Sequence, residues 1–335
     1  MENPMILTSA IFAQIWFSGE PLDFLHGLDP TFGSLFFFLS VICHYLGGTV
    51  FFLVLISFAY AFYNPKLGFE LATGLLTSGL VIALGKFYFE SPRPFPYPEA
   101  FGEKAFGFPS GHAYSAVVVW GLLAYRFKNV WFRLLCISII LITPLTRMYL
   151  KVHYLGDVTA GFFVGLIHLG ILISFLSYLD KKSLPHYFIQ TDKHRTLSLL
   201  GLVLSFSVIL LDSKYLSPEH HHSLATAVTA AGSIAGFWIG VLFYPKFSKH
   251  EFLNWGMPVS EGKFDLSAFG VRLSVLILVL GIFYILPSSL AQKTEWKDDL
   301  LLRYIRYLIT SFALIVIYPI LLQRIAGGRF LSASR

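Results

Sequence analysis

Charge is what this sequence has least of. Of 335 residues, 13% are Asp, Glu, Lys or Arg, against roughly 25% in ordinary soluble domains. A water-facing surface for a chain of this size cannot be assembled from so few charges. The 56% hydrophobic and 17% aromatic content therefore reads as that of an integral, multi-pass membrane protein. Cysteine is scarce as well. Cys43 and Cys136 stand far apart in apolar runs, which argues against a disulfide or a cysteine metal site and for two buried thiols. Lys and Arg are absent ahead of the first apolar residues, so a cleaved leader is not expected. The net charge of +6 does not indicate nucleic acid, because the basic residues cluster between apolar runs rather than along one face.

What is present is a series of apolar runs with short polar breaks, near 35–63, 67–89, 112–127, 131–150, 157–179, 196–212, 223–244, 268–290 and 301–323. In hydrocarbon the backbone must pair internally, so such runs are helices. The expected fold class is an all-α polytopic bundle of about nine transmembrane helices. Residues 5–17 fall short of the about 20 residues that a crossing needs and read as an interfacial helix. The expected organisation is an N-terminal segment over 1–34, a catalytic core over 35–180 and a four-helix extension over 181–335. With nine spans, one side collects fifteen of the 25 Lys and Arg residues. That side is expected to be cytoplasmic, with the N-terminus outside and the C-terminus inside. Gly161 and Gly165, and Gly232, Gly236 and Gly240, are spaced by four. This spacing suits close packing of helices within the chain; a homo-oligomer is left open. No internal repeat of the kind found in transporters is evident.

Ionisable residues in or beside membrane helices are costly, and by default they mark a site. Three stretches stand out: Lys86 to Arg93-Pro94, Pro109-Ser110-Gly111-His112, and Arg147 followed by His153 and Asp157. All three fall on the outer face of the nine-helix arrangement. Lys86, Arg93 and Arg147 together make a clamp for phosphate or carboxylate oxygens. Ser110 and Gly111 precede a helix, where N–H groups and a hydroxyl suit an anion. His153 and Asp157 are one helical turn apart, so the carboxylate can hold one imidazole nitrogen and leave the other to attack. His112 is then a second histidine, placed to protonate a leaving oxygen. Such a set is suited to phosphoryl transfer, whose main demand is positive charge around the moving group.

In order and spacing these stretches resemble the signature of the type 2 phosphatidic acid phosphatase superfamily: K-x6-R-P, then P-S-G-H, then S-R-x5-H-x3-D. The resemblance covers residues 86–157 and departs once, at Thr146, where the family usually has Ser. It implies His153 as nucleophile, Asp157 as its partner and His112 as acid and then base. It further implies Lys86, Arg93, Ser110, Gly111 and Arg147 as phosphate binders, with no metal and no cofactor. The longer layout, with further helices after the motifs, is similar to glucose-6-phosphatase and the sphingosine-phosphate phosphatases.

The expected activity is hydrolysis of a lipid phosphate monoester or pyrophosphate, with membrane lipids as partners, no nucleic acid, and the site on the extracytoplasmic (periplasmic or luminal) side. Three alternatives stay open: a lipid phosphotransferase using the same site, a phosphatase of a soluble sugar phosphate, and a non-catalytic lipid transporter or scaffold. Tyr88, Phe95, Tyr97 and Phe108 read as an interfacial aromatic belt. Glu90 would oppose phosphate and reads as structural. For Lys151 a structural place outweighs the alternatives of an outlying cation or a headgroup contact. His220, His221 and His222 read as a solvated loop, since adjacent histidines seldom share one metal. His186 and His194 read as part of a basic cytoplasmic loop.

Overall fold

The computed structural model describes residues 15–94, 105–181, 201, 205–208, 217–247, 255–260 and 263–326. They are almost wholly helical, apart from a short antiparallel pairing of Val259–Ser260 with Lys263–Phe264. In chain order the helices are α1 (Glu20–His26), α2 (Asp29–Leu46), α3 (Thr49–Phe58), α4 (Pro65–Phe89), α5 (Gly111–Arg126), α6 (Val130–Tyr149), α7 (Leu155–Lys181) and α8 (Pro218–Phe247). They continue as α9 (Leu266–Leu280), α10 (Leu286–Gln292), α11 (Leu300–Phe312) and α12 (Tyr318–Ala326). Single π-turns extend α3 through Ala59–Tyr63, link α9 to α10 and link α11 to α12.

Among the described residues, six helical stretches are long and apolar enough to cross a membrane, or seven if the bent α1–α2 pair counts as one. The six coincide with expected spans. Exposed Phe163, Ile167 and Ile171 recur every fourth residue along α7, the pattern of a face turned to lipid. The protein is thus an integral, multi-pass membrane protein.

Four expectations are revised or left aside. The run 35–63 is not one helix: the Gly47–Gly48 pair ends α2 and α3 begins at Thr49, since paired glycines weaken a helix interior. The run 112–127 is the helix expected there, α5, with 16 residues; its crossing is left aside, since it falls below the usual crossing length. His220, His221 and His222 belong to the first turns of α8 rather than to a loop, because Pro218 opens that helix as proline does at a first turn. Most of the run 196–212, most of the interfacial segment 5–17, and His186 and His194 lie outside the described residues.

The chain divides into two compact units. The first comprises the described parts of Met1–Phe52, Val81–Ile173 and Ser213–Leu224. Here α6 packs on α5, α2 and α1. The Asn129 side chain caps α6 by accepting from the Phe132 N–H at 2.9 Å, an N-cap worth about 1 kcal/mol. α7 lies close on α5 through its glycines. A Cβ on Gly161 would come within 2.6 Å of the Ser110 carbonyl oxygen, and one on Gly165 within 3.0 Å of Val117 Cβ. Both cysteines are free and buried.

The second unit comprises the described parts of Leu53–Leu80, Ser174–Asp212 and Ala225–Arg335. Its core gathers Tyr60, Phe69, Phe237, Tyr244, Val275, Ile315 and Tyr318. The π-turn after α3 leaves carbonyls for side chains: Trp255 Nε1 donates to the Tyr60 carbonyl at 2.9 Å and Arg272 to that of Ala61 at 3.2 Å. Gly232 and Gly236 of α8 sit against the backbone of Tyr304 and Leu308 on α11. Both glycine stripes therefore serve packing within the chain.

Candidate active site

All eight residues singled out in the sequence lie in the first unit, and a small apolar cluster explains how they meet. Ala113, Met148 and Val158, with Leu25 and Leu155 against them, pack together. Each of the first three is the chain neighbour of a site residue: His112, Arg147 and Asp157. Joining these neighbours fixes the ends of α5, α6 and α7 to one another.

The third motif turns tightly between α6 and α7. Leu150 N–H donates to the Thr146 carbonyl at 3.0 Å and Val152 N–H to that of Arg147 at 3.2 Å. Lys151 takes φ 52°, the left-handed region that costs a non-glycine residue about 1 kcal/mol or more. The turn presents His153, 1% exposed, to Asp157, 0% exposed. Asp157 Oδ2 stands 3.3 Å from His153 Nδ1 and accepts the Tyr154 N–H at 2.9 Å. An acceptor at Nδ1 assigns the proton to that nitrogen and leaves Nε2 with its lone pair. Burial first, then the charges of Arg93, Lys86, Arg147 and His112, hold the His153 imidazolium well below its ordinary range. The ring is neutral at physiological pH.

The second motif is tied to the same aspartate, because Ser110 N–H donates to the Asp157 carbonyl at 3.0 Å. Ser110 is the N-cap of α5 and its side chain makes no capping bond. Its Oγ is buried with no hydrogen-bond partner among the described residues. A buried hydroxyl without a partner costs about 1–3 kcal/mol, a cost that an anion at this helix start would offset.

The first motif supplies cations. Lys86, in the last turn of α4, donates from Nζ to the Phe106 carbonyl. Arg93 donates from Nε to the Ala105 carbonyl at 2.7 Å and from Nη1 to the Val152 carbonyl at 3.0 Å. That last bond anchors the guanidinium one residue before His153. Gly107 lets this loop pass over the carboxylate, since a Cβ there would meet Asp157 Oδ2 at 3.0 Å and the Pro92 carbonyl at 3.1 Å.

Around the site stand further residues that the sequence singles out. Glu90 is paired through Oε1 with His220 Nε2 at 2.8 Å, and His220 packs edge-on against Phe106 and Phe87. Lys151 pairs with Asp23 at 3.2 Å, so it braces α1 rather than standing as a loose cation. The Thr146 hydroxyl donates to the Thr143 carbonyl at 2.8 Å, a local bond within α6. Phe108 joins Phe89 and Phe17 in an aromatic rim, with centroids 4.9 and 6.1 Å apart. Tyr88 is exposed; Phe95 and Tyr97 lie outside the described residues.

Two further residues adjoin the site with no motif in the sequence to mark them. His44 on α2 touches Arg147, its Nδ1 3.0 Å from Nη1. Phe17 covers Gly156, so closely that a Cβ there would meet its ring at 2.5 Å. No group of three or more His, Cys, Asp or Glu residues suited to a metal occurs among the described residues.

Comparison with known proteins gives one result: residues 67–181 match the family model of the PAP2 superfamily. That stretch contains every residue of the three motifs. No match was found among curated proteins or among solved structures.

Proposed function

We propose that this chain, whose residues 67–181 match the PAP2 superfamily model, is a phosphatase that hydrolyses a lipid phosphate monoester or pyrophosphate without a metal, through a phosphohistidine. The observation that carries this reading is the buried His153–Asp157 pair at 3.3 Å, set among the charges of Arg93, Lys86, Arg147 and His112.

In the proposed reaction the phosphate oxygens are held by Arg147, Arg93, Lys86 and the start of α5 at Ser110 and Gly111. His153 Nε2 attacks phosphorus while Asp157 retains the Nδ1 proton and offsets the positive charge growing on the ring. The P–O bond to the lipid alcohol or phosphate breaks, and His112 gives that oxygen its proton. Water then attacks the phosphohistidine. His112 takes the water proton, the P–N bond breaks, and phosphate leaves with His153 restored.

A lipid is favoured because the aromatic rim of Phe17, Phe89 and Phe108 adjoins the histidine turn, where an acyl or prenyl chain would lie. The basic-residue bias supports placing the site on the extracytoplasmic side.

The test is phosphate release by the detergent-held protein across phosphatidic acid, a polyprenyl pyrophosphate, a sphingoid-base phosphate and glucose 6-phosphate, with EDTA present. Release from one lipid class, abolished by His153→Ala, is the expected result. Unchanged release in His153→Ala would refute the mechanism. Loss on chelation, restored by a divalent ion, would refute its metal independence. Phosphate recovered on an acceptor rather than in solution would make the protein a transferase.

A further inference from the structure

We infer that His44 is a positioning residue of this phosphate site, holding Arg147 by a hydrogen bond and His112 by ring stacking from the last turn of α2. The inference rests on the phosphatase reading above and extends it to a helix outside the three motifs.

Its basis is geometric. Arg147 has only donors, so His44 Nδ1, 3.0 Å from Nη1, must be the acceptor. That assigns His44 the neutral form with its proton on Nε2, because an Nδ1–H would face a guanidinium N–H. Arg147 is 0% exposed, and a buried guanidinium needs acceptors to remain charged where phosphate oxygens must find it. The other face of His44 lies on His112, with centroids 5.5 Å apart and planes 15° from parallel.

The same turn shapes the seat of His112 a second time. A Cβ on Gly47 would come within 2.7 Å of His112 Cδ2, so the residue ending α2 must be glycine for that ring to stay in place. One helix end thus sets a phosphate-binding cation and the proton donor relative to each other.

His44→Phe keeps a ring to stack and removes the acceptor; His44→Asn keeps an acceptor near Nδ1 and removes the ring. A purely structural role predicts the same outcome for both. Expected for His44→Phe is inorganic phosphate binding weakened about 10-fold, with KM raised in parallel. Expected for His44→Asn is phosphate affinity within about threefold of wild type and a lowered kcat. Gly47→Ala, whose Cβ would press on His112 Cδ2 at 2.7 Å and on the Cys43 carbonyl oxygen at 3.1 Å, keeps the His44 side chain and should reproduce the His44→Asn split. It decides the matter together with His44→Asn if His44→Phe does not fold.

Wild-type phosphate affinity in a folded His44→Phe protein, or lost phosphate affinity in His44→Asn, would overturn the inference. Failure of the phosphatase reading would show elsewhere, as absent turnover in wild type or unchanged turnover in His153→Ala.

Discussion

Gly161→Ala probes most directly how the site is held. Gly161 lies one turn beyond Asp157 on α7, and a Cβ there would stand 2.6 Å from the Ser110 carbonyl oxygen, so about 0.8 Å must be yielded to reach the 3.4 Å of ordinary contact. That oxygen has little freedom. It accepts the Tyr114 N–H at 3.1 Å at the start of α5, while Ser110 N–H is held to the Asp157 carbonyl at 3.0 Å. The added methyl therefore moves the Ser110 turn against the His153–Asp157 pair. A misplacement near 1 Å costs on the order of 100-fold in rate, and overpacking costs about 1–3 kcal/mol of stability. The expected result is kcat lowered about 10- to 100-fold, with folded protein retained at a lower thermal midpoint. Gly170→Ala is the control on the same helix, since a Cβ there meets nothing within 4 Å; it should retain full turnover. The assay is phosphate release beside fluorescence-detected unfolding in detergent. A Gly161→Ala protein working within about threefold of wild type would show that this contact does not set the catalytic geometry.

Asp157→Asn can keep an oxygen for the Tyr154 N–H and loses only charge, so turnover should fall about 10- to 100-fold. Asp157→Ala leaves that buried N–H without its acceptor and should lose about 1–3 kcal/mol of stability besides; equal thermal midpoints in the two variants would contradict the geometry. His153 titrates well below its ordinary range when folded and near 6.5 when unfolded, so below about pH 6.5 the unfolded chain binds the extra proton. Its effect on stability is therefore absent above about pH 6.5, and stability falls as pH drops from there toward the folded value. A His153→Gln protein should show a shallower fall of thermal midpoint with acid, and an identical fall would refute the assignment. In Gly236→Ala the new Cβ would lie 1.9 Å from the Leu308 carbonyl oxygen, so its midpoint should drop below that of Gly161→Ala; a wild-type midpoint would dismiss the α8–α11 packing.

Helices were legible in the sequence wherever apolar length settled the matter. The stretches that became α4, α6, α7 and α8, and those spanning α9–α10 and α11–α12, are too long and too apolar for anything else. Breaks were harder to read. Gly47–Gly48 interrupts a run whose hydropathy carries on without change, and only the backbone cost of adjacent glycines marks the site. The start of α8 lies ahead of its apolar run for the opposite reason. Glu219 and three histidines look like loop by polarity, yet Pro218 presets the first turn and His220 finds Glu90 and two aromatic rings there.

The gathering of the three motifs was legible because several charged groups recur there at the fixed spacing of helix ends, and charge in apolar helices is costly unless it is used. His44 carried no such signal. Its partners Arg147 and His112 lie 103 and 68 residues away along the chain, and contact between them exists only once α2 has packed on α6. The rule that an ionisable residue in an apolar helix marks a site applied to His44 as much as to His112. What sequence lacked was the turn at Gly47, which brings that helix end against the His112 ring. A site of this kind is read from its charges in sequence, but its walls are supplied by whichever helix end can approach closely, and here glycine decides the approach at Gly47, Gly107 and Gly161 alike.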